Sequence, residues 1–147
     1  LAYANEGQNS SSFDIHIKND ADWSLALAYL GLGDIALAKK HNFITLQFAL
    51  SSKSPTLLLC YLPITAIILM QEDQIQQAIE LLSLTLHHPQ ATNGWLEQWT
   101  MYKESIQYLK NEVEENVYHM HYENGKSLNI ETVVQQLVAE FGTDTVD

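Results

Sequence analysis

Cysteine is almost absent from this sequence: Cys60 is the only one. No disulfide can form within the chain, which points to a reducing compartment, the cytoplasm. Basic residues are also scarce, with 7 Lys and Arg against 18 Asp and Glu and a formal charge of −11. Such a surface repels nucleic-acid phosphates and anionic lipid, and the one adjacent basic pair, Lys39-Lys40 beside His41, is too small for a phosphate footprint. Long apolar runs are missing as well. The longest, Pro55 to Met70, falls short of the ~20 residues a membrane-spanning helix needs and is interrupted by Pro63. It reads as a buried helix, bent near Leu59 to Pro63. No basic leader with a cleavage site is visible at the N-terminus.

The elements of chemistry are missing too. No phosphate-binding glycine loop, nucleophile elbow or H-E-x-x-H occurs, and Gly31-Leu-Gly33 is a lone pair of glycines at a helix turn. His119 and His121 stand two apart, about 200° around a helix, so one zinc ion cannot take both. His87-His88 close a helix, where imidazole meets the negative end of the dipole. Cys60 reads as a small hydrophobe, and Glu72-Asp73 and Glu112, Glu114 and Glu115 as solvated helix ends. The expectation is a chain with no metal, no cofactor and no enzymatic activity.

What is present is helical periodicity. Trp23, Leu27 and Leu30 share one face, and Asp34 can cap a second helix that carries Ile35, Ala38, Leu46 and Leu50. Ser54 followed by Pro55 starts a third, and Pro89 stops a fourth near His87. Trp95, Trp99, Tyr102, Ile106 and Leu109 form a stripe read as one helix. Val113, Val117 and Met120 or His121 follow on a short helix closed by Asn124-Gly125. Asn129 caps a last one bearing Ile130, Val133, Val134, Leu137, Val138 and Phe141, ended by Gly142. The fold class expected is all-α, with about seven helices. Leu1 to Gly7 reads as the end of a preceding helix, so another hairpin is expected upstream. Phe13 to Ile17 alternates like a strand but is too short to decide its structure. The expected boundaries are a helix end and loop over 1–19, a helical domain over 20–142 and a frayed tail over 143–147.

The segment Leu27 to Leu46 returns as Ile67 to Leu86. Ile35/Ile75, Ala38/Ala78, Thr45/Thr85 and Leu46/Leu86 are identical, a period of forty residues. Such a period marks stacked helical hairpins. Tyr29, Gly33, Ala38 and Leu46 carry a resemblance to the tetratricopeptide repeat (TPR). There a large residue precedes the turn glycine, and a small alanine lets two helices cross at about 8–10 Å. The second hairpin keeps Ala78 and Leu86 but has Leu69 for the tyrosine, Asp73 for the glycine and Thr85 where a second alanine is common. Its period also exceeds the ~34 residues of the standard repeat.

Ala78 to Pro89, then Tyr122 to Leu128 and Ile130 to Leu137, are similar to the C-terminal TPR-like regions of bacterial multidomain regulators, the signal-transducing ATPases and transcriptional activators. The resemblance covers about Asp20 to Phe141. It implies antiparallel hairpins stacked as an α-α superhelix, closed by the last helices. It also implies a protein-interaction or scaffold module that binds a protein or peptide segment, or a neighbouring domain of the same chain. The concave face would be formed by Asp20, Trp23, Leu27, Leu30, Cys60, Ile67 and Met70. A small-molecule sensor of such a regulator is the alternative, and core residues awaiting a missing repeat are the other reading of the same face.

Overall fold

The computed structural model describes residues 18–91 and 93–143. Among them the chain is all-α: α1 (18–32), then α2 (Ile35–Ser51), α3 (Pro55–Gln71), α4 (Ile75–His87), a 3₁₀ turn (Leu96–Gln98), α5 (Thr100–Glu112), α6 (Glu115–Lys126) and α7 (Ile130–Thr143). No strand occurs among the described residues. The expectations for Leu1 to Gly7 and Phe13 to Ile17 lie outside them. The expected boundary at residue 19 falls inside α1.

The first four helices are joined by three turns of one kind. Gly33, Lys53 and Asp73 have positive φ (79°, 50° and 64°). In each turn the residue bonds back three positions (Gly33 N–H to Leu30 O, Lys53 to Leu50, Asp73 to Met70). The residue after it bonds back five (Asp34 to Tyr29, Ser54 to Ala49, Gln74 to Leu69). This is the Schellman termination, which satisfies the last helical carbonyls and reverses the chain. The next helix then starts at a cap. The Asp34 carboxylate accepts from Leu37 N–H at 3.1 Å and the Ser54 hydroxyl from Leu57 N–H at 3.3 Å. Gln74 makes no such side-chain bond.

The turn positions 33, 53 and 73 are evenly spaced, so the forty-residue echo is two steps of a single helix-plus-turn unit. A second marker keeps the same step. Thr45, Thr65 and Thr85 are all buried, and their hydroxyls donate to backbone carbonyls of Asn42, Tyr61 and Leu82.

α3 is the central helix. Residues 58–69 are buried apart from half-buried Cys60, as expected of a helix apolar on every side. The helix is continuous from Pro55 to Gln71 with Pro63 inside it. α2 and α4 flank α3. Ala38 and Ala78 have no exposed surface and keep these helices close. α1 is fastened by polar contacts: Asn19 donates to the Tyr61 hydroxyl, and Asp22 Oδ1 lies 2.8 Å from His41 Nδ1. Tyr29 stacks on the same imidazole at 5.6 Å.

The C-terminal third departs from the sequence reading. Trp95 to Leu109 is not one helix: Trp99 is extended (ψ 103°), and α5 begins only at Thr100. Gly125 does not close α6 as a cap but sits within it, against α4. A Cβ there would overlap the Glu80 carbonyl oxygen and lie 2.7 Å from Ser83 Cβ. The crossing is that close because both helices are small at this point, and the Ser83 hydroxyl donates to the Tyr122 carbonyl across it.

α7 is capped by Asn129, whose side chain accepts from Thr132 N–H at 3.0 Å. It runs one residue past Gly142. It does not continue the stack at the far end but returns to pack on α2 and α3. Ile130, Val133, Val134, Leu137 and Phe141 are buried there. Lys39 holds the end of α7, with its ammonium 4.6 Å from the Phe141 ring centre and 3.0 Å from Glu72.

Candidate functional site

The seven residues read as a concave face do not form one open groove. Asp20 is exposed, and Trp23, Leu27, Cys60 and Met70 are half-buried. Leu30 is 3 % and Ile67 1 % exposed. Ile67 is therefore a core residue, because a partner cannot reach it.

The segment after α4 covers the Trp23 part of this face. Trp95 meets the Trp23 ring edge-on at 6.1 Å and stacks on Trp99 at 5.6 Å, and Trp99 stacks on Tyr102 at 6.4 Å. Leu96, 2 % exposed, is driven into the core beneath this row. The aromatic residues thus seal α1 against α5, each ring pair adding about 0.5–1.5 kcal/mol beyond the area it buries.

One cleft survives where Leu30 and Met70 come together. It has a volume of about 360 Å³. The Gly33 turn closes one end, Ile35 stands at the start of α2, and Met101, Glu104, Ser105 and Tyr108 line it from α5. Leu30, Ile35, Met70 and Met101 make an apolar floor, with Gln71, Glu104 and Tyr108 at the rim. Glu104 is the one charged side chain in the lining. Tyr108 is 51 % exposed, and Leu32, adjoining Gly33 in the chain, is 79 % exposed.

Sequence reasoning missed the α5 contribution. Met101, Glu104 or Ser105, and Tyr108 repeat at i, i+3/i+4, i+7, a second face of the helix whose main stripe is Tyr102, Ile106 and Leu109. Met101 and Tyr108, apolar residues off that stripe, were the available signal.

The titratable groups are spread rather than gathered. Burial pushes the Cys60 thiol up, so it resists ionisation, as expected of a small hydrophobe. Burial also pushes Tyr102 up, to about 12, with Tyr122 and Tyr118 adding to the effect. Tyr61 and Tyr118 move the same way, chiefly for the same reason. The histidines are not all at the surface: His121 is 9 % exposed, its Nδ1 2.8 Å from Glu80 Oε1. Among the described residues no three His, Cys, Asp or Glu side chains converge to hold a metal ion. Among those residues, too, no helix is long and apolar enough to cross a membrane.

No family model, curated protein or solved structure matches the chain.

Proposed function

We propose that this chain is a non-enzymatic protein-interaction module that holds a partner through the cleft between the α1–α2 turn, the end of α3 and α5. The observation that carries the reading is the apolar floor of Leu30, Ile35, Met70 and Met101, left open beside exposed Tyr108. Thioethers adapt to differently shaped apolar groups, which suits a surface that grips a side chain rather than a reacting atom. The occupant is a basic amphipathic segment with an apolar anchor. Glu104 is the charged group of the lining and the whole chain carries −11, so an acidic partner is repelled.

The kinship with TPR arrays is part of the same proposal. It is supported by Ala38 and Ala78, both fully buried at matching positions, and by the matching turns at Gly33 and Asp73. Placement at the C-terminal end of a larger cytoplasmic bacterial regulator follows from that kinship. The alternative, a small-molecule sensor, draws on a second and more enclosed cavity between the α2–α3 turn and the start of α7.

The test is binding of a synthetic Leu/Lys amphipathic peptide, measured by fluorescence anisotropy at two salt concentrations. Tyr108→Ala combined with Met101→Ser is expected to weaken binding at least about tenfold, a loss of about 1.4 kcal/mol. Met120→Ser, at an exposed site on α6, should leave binding unchanged. Equal binding by the two variants, at unchanged helicity, refutes the cleft.

A further inference from the structure

The second cavity lies away from the docking cleft, where α2 ends, α3 begins and α7 starts. Its volume is about 230 Å³. Ala49 and Leu50 from α2, Pro55 and Leu58 from α3 and Ile130 from α7 line it. An apolar cavity of about 150 Å³ already holds a benzene-sized molecule, so this one accepts a branched aliphatic or aromatic group with a few atoms to spare. Its lining carries two charged side chains of opposite sign, Lys53 and Glu131. Both residues are exposed. They make no ion pair with each other or with any other described residue.

Their backbones fix where the two side chains begin. Lys53 is the positive-φ residue of the second Schellman turn, set by its N–H bond to Leu50 O at 3.1 Å. Glu131 is in the first turn of α7, directly after Ile130 and two residues past the Asn129 cap. The cavity lining thus carries one cation and one anion, each without an ionic partner among the described residues.

That arrangement discriminates among small molecules by charge. A simple carboxylate gains Lys53 but meets Glu131, and a simple amine gains Glu131 but meets Lys53. A molecule bearing both charges on one carbon, with an apolar body, satisfies both and fills the apolar floor. We infer that this cavity binds a free α-amino acid with a branched aliphatic or aromatic side chain. The carboxylate sits at Lys53, the ammonium at Glu131 and the side chain among Leu50, Leu58 and Ile130. This would give the protein a ligand input separate from the docking cleft, and it does not depend on that cleft.

The experiment is isothermal titration of the full 147-residue chain with L-leucine and L-phenylalanine, backed by thermal melts. Saturable binding and a rise in melting temperature are expected with either amino acid. The analogues 4-methylpentanoate and 3-methylbutylamine, which each keep one charge, should bind at least about tenfold more weakly. So should L-leucine with Lys53→Met or Glu131→Gln. Both substitutions lie at exposed sites, and unchanged circular dichroism checks the fold. No binding of leucine or phenylalanine overturns the inference. Single-charge analogues that bind as well as leucine overturn it too, as does affinity indifferent to both substitutions. In the latter cases the cavity serves a neutral apolar group, such as a partner's side chain.

Discussion

Replacing Gly125 by alanine tests the close crossing of α4 and α6 with a single methyl group. The new Cβ would lie 2.7 Å from Ser83 Cβ and 3.0 Å from the Glu80 carbonyl carbon, and would overlap the Glu80 oxygen. Ordinary carbon contacts begin near 3.5 Å, so α6 must retreat by roughly 0.8 Å. Trimming a side chain cannot relieve this, because the main obstacle is the backbone of α4. The retreat loosens the Ser83 to Tyr122 bond, the His121–Glu80 pair and the edge-on contact of His87 with Tyr122. Overpacking of this kind costs about 1–3 kcal/mol. Against it stands the gain of about 1 kcal/mol that alanine brings to a helix over glycine. The net expectation is a loss of up to about 2 kcal/mol, or up to roughly 8 °C in melting temperature for a domain of this size.

Gly31→Ala is the matched control. That site is also helical, but nothing stands within 4 Å of the position its new methyl group would take. The same substitution there should be neutral or stabilising by up to about 1 kcal/mol. Thermal melts followed by circular dichroism give both numbers. A Gly125→Ala protein more stable than the parent would refute the crossing, and equal stability of the Gly125→Ala and Gly31→Ala proteins would refute the reasoning from contact.

Asp73→Gly should stabilise the protein by about 0.5–1 kcal/mol, since Asp73 holds a positive φ that glycine adopts without strain. A higher urea midpoint at unchanged slope is the expected readout. Alkaline pH should unfold the chain through its buried phenols. The Tyr102 pKa is about 12 when folded against an ordinary value near 10. The unfolded state therefore releases that proton first as pH rises. The contribution is intact below about pH 10 and is lost between about 10 and 12, amounting to roughly 2–3 kcal/mol. Tyr102→Phe should flatten this loss in denaturant titrations across that range. An unchanged pH profile would exclude Tyr102 as its source.

The helices that depend on local signals were legible in the sequence. Asp34, Ser54 and Asn129 announce helix starts, and their side chains make the capping bonds that those residue types imply. The forty-residue echo was legible too, but its half-step was not. Thr65 completes the series with Thr45 and Thr85, yet it lies in an apolar run that draws attention to Pro63 instead. Lys53 and Asp73 hid the regularity of the turns, because neither residue type demands a positive φ.

The site was less legible than the fold. Leu30 and Met70 line the surviving cleft, but whether Ile67 faces a partner or the core depends on what packs in front of it. Trp23 is likewise covered by Trp95, far along the chain, through a contact that no local period encodes. The Gly125 crossing escaped for a similar reason. Asn-Gly is a turn signal by itself, and only the approach of α4 gives that glycine another role.

The return of α7 onto α2 also sets an order of events during synthesis. In an open stack each unit finds its neighbour as soon as the next hairpin emerges. Here the flank of α2 ends at Ser51, and the helix that covers it begins at Ile130. The ribosome needs roughly 4–16 s to make the intervening stretch at about 5–20 residues per second. For that interval Phe43, Ala49 and Leu50 on the nascent chain face solvent or a chaperone in place of α7. A chain released before Phe141 leaves the ribosome with that flank bare.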